Sequence, residues 1–128
     1  MQRLLLDTHV LLWWLADDPI LGEKTRTLIA DPRNEVLVSA VTSWEISIKK
    51  ATGKLEAPDD IDTIVEDEGF SKLPINLYHG EIAGRLPLHH KDPFDRMLIA
   101  QAKIMELSLV TNDSKVKLYA VKTIDPLE

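Results

Sequence analysis

The chain has 128 residues and no cysteine, which excludes disulfides, thiolate zinc sites and cysteine nucleophiles. Its 15 Lys and Arg against 21 Asp and Glu leave a net charge of −6, which argues against non-specific coating of nucleic acid but leaves room for a nucleic-acid enzyme with a local basic rim. With 45% hydrophobic and 28% charged residues the composition is that of a globular protein, and residues 1–128 are expected to form a single domain.

The first apolar run, Arg3 to Leu6, predicts a strand that stops at Asp7, with a helix from His9 to Leu15 behind it. Leu4 to Leu15 is apolar enough for a signal peptide, but Asp7 and His9 interrupt it. Asp17-Asp18-Pro19 then follows without a small-residue cleavage pattern. The longest unbroken apolar run, Val10 to Ala16, falls far short of the roughly 20 residues a membrane span needs. A cytoplasmic protein without a membrane segment is expected. Leu21, Thr25, Leu28 and Ile29 share one face of the next helix, and Glu35 to Val38 predicts a second strand. The helix that leaves this strand carries Glu45. Trp44, Ile46 and Ile48 around it suggest burial over much of its girth. Ile61, Ile64 and Val65 make another helical face, with Asp59 or Asp60 as N-cap and Gly69 as a stop. Leu73 to Ile75 is the third strand, confined to an edge by Pro74. Tyr78, Ile82 and Leu86 fit one face of a helix, and two prolines bracket a loop from Leu86 to Pro93. Phe94, Leu98 and Ala102 fit the next helix. Ser108 to Thr111 and Val121 to Ile124 complete the strands. This alternation predicts an α/β fold with a parallel sheet covered by helices on both faces.

Asp7, Glu45, Asp95 and Asp113 each stand where an apolar run ends or a helix begins. In an open parallel sheet that places them at the carboxyl ends of the strands, where ligands bind. Carboxylates gathered there repel, and a hard divalent cation, Mg²⁺ or Mn²⁺, is the compensating charge that oxygen ligands suit. Each acid also has a structural reading. Asp7 fits an N-cap. Glu45 fits an i,i+4 partner for Lys49 or the last member of a capping box begun by Thr42. Asp113 fits a cap for a short helix. In Asp92-Pro93-Phe94-Asp95 both acids suit a positive helix end, and we assign Asp92 to capping and Asp95 to chemistry. His9, His79, His89 and His90 lack metal-ligand spacing and read as loop or core residues. Trp13, Trp14 and Trp44 read as core or interface, and Lys49, Lys50 and Lys54 as a solvated face. Arg96 is a candidate phosphate contact.

Four segments together resemble the PIN-domain nucleases, and among them the VapC-type toxins. They are Leu4-Leu5-Leu6-Asp7-Thr8-His9; Ser39-Ala40-Val41-Thr42-Ser43-Trp44-Glu45; the run from His90 to Ala102 with Asp92-Pro93-Phe94-Asp95-Arg96 at its head; and Leu109-Val110-Thr111-Asn112-Asp113. The resemblance spans nearly the whole chain. It implies a three-layer αβα sandwich with a central, mainly parallel sheet. It also implies a metal-dependent endoribonuclease that leaves 5′-phosphate and 3′-hydroxyl ends. The acidic set it implies is Asp7, Glu45, Asp95 and Asp113, with Thr8 and Ser114 as hydroxyls near the metal, its waters or the substrate. Its implied partners are RNA, a second copy in a homodimer and a small antitoxin. Two other readings compete: a receiver-like Mg²⁺-binding signalling domain and a non-catalytic binding module on the same fold. The receiver pattern wants a second acid directly after Asp7 and an acceptor Asp after the third strand. The chain has Thr8 and Asn76 there instead.

Overall fold

The computed structural model describes residues 1–128. Five parallel strands form one sheet in the order β3-β2-β1-β4-β5. They are β1 (Arg3–Leu6), β2 (Glu35–Ser39), β3 (Ser71–Leu73), β4 (Ser108–Val110) and β5 (Thr123–Ile124). Six helices cover them: α1 (Thr8–Leu15), α2 (Glu23–Ala30), α3 (Ala40–Ala51), α4 (Ile61–Asp67), α5 (Leu77–Arg85) and α6 (Pro93–Met105), with a 3₁₀ turn at Val116–Leu118. The result is the expected three-layer sandwich, and its sheet is parallel throughout. No helix is long and apolar enough to cross a membrane.

The layers follow from a period of two along each strand. Leu5 points with Leu37 and Leu109 into a core built with α5 and α6, where Ala83, Leu98, Ile99 and Ala102 are buried. Leu4 and Leu6 point the other way, with Val36, Val38 and Val110, against Val10, Leu11, Ile29 and Val65. Both faces of β1 are therefore covered, and this is why its three leucines form an unbroken apolar run. The chain builds β1, β2 and β3 toward one edge, then returns to lay β4 and β5 on the other side of β1. The strand order reverses between β1 and β4, and a crevice opens there at the carboxyl ends.

Several elements depart from expectation. β3 is Ser71–Leu73 rather than Leu73–Ile75, because Pro74 has no N–H for the ladder and ends the strand instead of lying inside it. Its edge position is as expected. β5 begins only at Thr123, since Val121 N turns back to Tyr119 O at 2.8 Å. In α5 the inward residues are His79, Ala83 and Leu86, while Tyr78 is exposed. Asn76 and His79 close a capping box there, and this sets the phase of the helix. α3 is not buried over most of its girth. Val41, Thr42, Glu45 and Ile46 face inward, but Trp44 is 59% exposed and Ile48 is exposed as well. Its N-cap is Ser39, which accepts from Val41 N at 3.1 Å, so Thr42 and Glu45 form no capping box. α4 stops as expected at Gly69, whose φ of 77° suits a residue without a Cβ.

Candidate metal centre

The crevice beside β1 holds a pocket of about 390 Å³ lined by Asp7, Glu45, Asp92, Asp95 and Asp113, together with Thr8 and Lys49. The carboxylates arrive from four separate segments, with Asp92 and Asp95 sharing the start of α6. Asp7 is the first residue beyond β1 and also the N-cap of α1, accepting from Val10 N at 2.9 Å. Both readings of Asp7 are therefore compatible. Its backbone N–H donates to Val110 O at 3.1 Å, which fastens the end of β1 to the end of β4. Burial pushes the Asp7 carboxyl up; bonds from Thr111 and Val10 act against it, and Glu45 adds to it. Glu45 is buried in the second turn of α3. It takes the Thr8 hydroxyl at 2.5 Å on Oε1 and the Lys49 ammonium on Oε2. That pair raises the Lys49 pKa, the Glu45 bond outweighing the effect of burial.

Both Asp92 and Asp95 line the pocket, and of the two Asp92 caps the helix as expected. Asp92 is the N-cap of α6, accepting from Phe94 N at 2.8 Å and Asp95 N at 3.2 Å, with Pro93 in the first turn. The Asp95 carboxylate does no capping. Burial, then the charge of Asp92, pushes it up to about 7; His90 pulls it down, and Asp113 and Glu45 add to the rise. Asp113 lies in the turn after β4. Burial works to raise its carboxyl too, but the His90 bond and the Lys115 and Val116 amides bring it below the usual carboxylate range. Asp113 also orders that turn, its Oδ1 accepting from Lys115 N at 2.8 Å.

Two residues depart from the sequence reading, and two others join the site. Arg96 does not reach toward a phosphate. It is buried, and its guanidinium donates to the carbonyls of Ala83, Gly84, Leu86, Pro87 and His90 at 2.8 to 3.3 Å. A planar fork with five donors is suited to gathering a turn of carbonyls, and here it ties down the loop before α6. Ser114 is exposed and does not line the pocket. His90, read as loop or core, is buried and stands between the acids, with Nε2 at 3.0 Å from Asp95 Oδ2 and 2.8 Å from Asp113 Oδ2. Thr111 was also overlooked. It is buried, its Oγ1 accepts from Asp113 N at 3.1 Å, and its side chain bonds Asp7. The signal for Thr111 was its place two residues before Asp113, a spacing at which a threonine hydroxyl caps a turn. For His90 it was a histidine two residues before the cap of α6.

The donor set suits a hard cation. Five carboxylates line the pocket with a single lysine. One of them is pushed up to about 7 by burial and by the charge of its neighbours. Carboxylate oxygens of Asp95 and Asp113 lie within 4.8 Å of one another, with Nε2 of His90 beside them. Oxygen-rich, cysteine-free sites of this kind match Mg²⁺ or Mn²⁺ rather than a thiophilic metal.

Comparison with known proteins places this geometry in a family. Ribonuclease VapC16 of Mycobacterium tuberculosis (strain ATCC 25618 / H37Rv) is 36% identical over 69 residues, 51% of this chain and 48% of that protein. The chain thus spans about half the length of the curated relative it matches. The fold is similar to that of VapBC-1 from nontypeable Haemophilus influenzae, with a TM-score of 0.69 and 19% identity over 99% of this chain and 100% of that one. It is also similar to VapBC2 from Rickettsia felis bound to a DNA fragment from their promoter, with a TM-score of 0.68 and 16% identity over 96% of this chain and 98% of that one. At these identities the two structures speak for the fold alone. The family model for the PIN domain matches residues 4–122, nearly the whole length over which the sheet, its helices and the acidic crevice are built, and the chain therefore belongs to the PIN domain family.

Proposed function

We propose that this chain is a Mg²⁺- or Mn²⁺-dependent endoribonuclease and the toxin of a toxin–antitoxin pair, acting in the cytoplasm. The observation that carries the reading is the convergence of Asp7, Glu45, Asp95 and Asp113 on one pocket whose negative charge the protein itself leaves poorly compensated. The relative named as a ribonuclease supports the substrate, and the VapBC complexes among the structural neighbours support the partner. A cation bound in the pocket supplies an activated water and neutralises charge on the phosphoryl oxygens. Asp7 and Asp95 are its direct ligands in this reading, and Glu45 and Asp113 complete the site. Thr8 holds Glu45 in place through its hydroxyl. Lys49 is the only Lys or Arg lining the pocket. In this reading it meets a phosphate oxygen, the role that Arg96, spent on backbone carbonyls, cannot fill.

Trp44 stacks edge-on against Phe94 at 5.2 Å, one residue from Glu45 and one from Asp95, and remains mostly exposed. An antitoxin segment laid over Trp44 and Ile48 would bring a basic side chain to the acids and exclude the cation. A homodimer completes the proposed assembly. The test is cleavage of total cellular RNA by the purified chain with Mg²⁺ or Mn²⁺, against an EDTA control and Asp7→Asn. Metal-dependent cleavage that both controls abolish is expected. Cleavage that survives in Asp7→Asn sinks the assignment. Arrest of growth on expression, relieved by a small protein encoded alongside, tests the toxin half separately.

A further inference from the structure

Asp95 and Asp113 reach the pocket from different elements, the first turn of α6 and the turn after β4, and their charges repel. His90 joins them. Its Nε2 lies 3.0 Å from Asp95 Oδ2 and 2.8 Å from Asp113 Oδ2. Its Nδ1 accepts from Asp92 N at 3.3 Å. A ring nitrogen that accepts carries no proton, so the imidazole hydrogen is on Nε2, where it is donated to Asp113 Oδ2, and Asp95 Oδ2 lies within ion-pair distance of the same nitrogen. The backbone around the ring is fixed as well. His90 N donates to the Tyr119 hydroxyl at 2.8 Å, and His90 O accepts from Arg96 at 3.0 Å. The Tyr119 hydroxyl in turn donates to Pro87 O at 2.5 Å. Tyr119 and Arg96 are both buried, so the loop that carries His90 is anchored from two sides.

We infer that His90 is the positioning residue of the metal centre: its Nε2–H holds Asp113, its ring stands between Asp113 and Asp95 and sets their separation, and it is not itself a ligand. The inference rests on the metal-centre reading proposed above. A ligand nitrogen must offer its lone pair to the ion. Here the Nδ1 lone pair faces Asp92 N–H, and Nε2 carries the proton. Both contacts of the ring fall on Oδ2, and Oδ1 of Asp113 is held by Lys115 N. Groups that orient a ligand in this way typically contribute roughly 10- to 100-fold in metal affinity.

The experiment measures Mn²⁺ affinity by titration and the electron spin echo spectrum of bound Mn²⁺ for the full chain, His90→Ala and His90→Gln. Melting curves without metal establish that each variant folds, and His90→Met replaces His90→Ala if the latter does not. The parent should bind Mn²⁺ with no directly coordinated ¹⁴N in the spectrum. His90→Ala should weaken binding by roughly 10- to 100-fold. His90→Gln, whose amide donates to carboxylates, should recover most of the loss, a rescue that a space-filling role would not show. A coordinated ¹⁴N signal that disappears in His90→Ala makes His90 a ligand and overturns the inference. Unchanged affinity in a folded His90→Ala overturns it too. Absence of Mn²⁺ binding by the parent removes the metal-centre reading and the inference with it.

Discussion

Asp92 and Asp95 lie three residues apart in one helical turn, yet their surroundings give them different work. Asp92 accepts two backbone N–H groups, so Asp92→Ala should lower stability by about 0.5–2 kcal/mol, as lost caps do, and leave much of the turnover. Asp95 makes no such bond, so Asp95→Ala should abolish cleavage without lowering the melting temperature. Melting curves and cleavage rates of the two variants decide it, and the opposite pattern would mean that cap and ligand are exchanged. Asp95 also gives the metal-free protein a pH dependence. Its folded carboxyl stands at about 7 against an ordinary 3.8. A raised folded pKa adds stability that is complete below the unfolded value and is lost as pH rises through the folded one. Stability without metal should therefore fall between about pH 4 and pH 7 on account of Asp95. Asp7, also raised, acts in the same direction, whereas Asp113, lowered, changes stability only below about pH 4, outside this window. The melting temperature in EDTA, taken for the parent minus Asp95→Asn across that range, isolates the Asp95 share. A difference that does not vary with pH would refute it. The four acids were legible because strand ends and helix starts can be recognised one at a time. His90, Thr111 and Arg96 were not, because their roles are set by which loop folds over which strand. An arginine beside an acid reads equally well as a phosphate contact or as a clamp on carbonyls until the loop's path is known.

At the scale of elements, what could be read depended on how local the determinant was. Pro74 marks where β3 ends, but the partner that pulls Ser71 and Lys72 into the ladder is β2, more than thirty residues earlier. The face of α5 is set by the Asn76 and His79 box and by Gln101 of α6, which approaches His79 at 3.3 Å. Apolar spacing alone favours Tyr78 over His79, and so it picks the wrong phase. The start of α2 depends on a distant segment as well. Gly22 offers no side-chain cap, and Pro126 O accepts from Gly22 N at 2.9 Å while Glu128 O accepts from Thr25 N at 3.0 Å. A Cβ on Gly22 would stand 2.2 Å from the Glu128 carbonyl carbon. Gly22→Ala should therefore displace residues 126–128 and cost about 1–3 kcal/mol through overpacking. The effect should appear as a lower melting temperature with cleavage retained. An unchanged melting temperature would show that this packing contributes nothing.

For the whole molecule, the topology explains why acids from four distant segments meet. The strand order reverses beside β1, and β1 and β4 leave their carboxyl ends side by side there. Leu5 pairs with Leu109 across more than a hundred residues of intervening chain. Parallel pairings of such long range form late, because the loop must close before the contacts reward it. A chain emerging from the ribosome thus exposes Asp7 first but has no assembled centre until β4 has been made and docked. For an enzyme proposed to destroy RNA, this order of synthesis is a safeguard. Until β4 is made and docked, the acids that make up the proposed centre stay apart. A chain stopped before β4 should bind no Mn²⁺ and cleave nothing, and cleavage by such a fragment would show that the centre closes without its last strands.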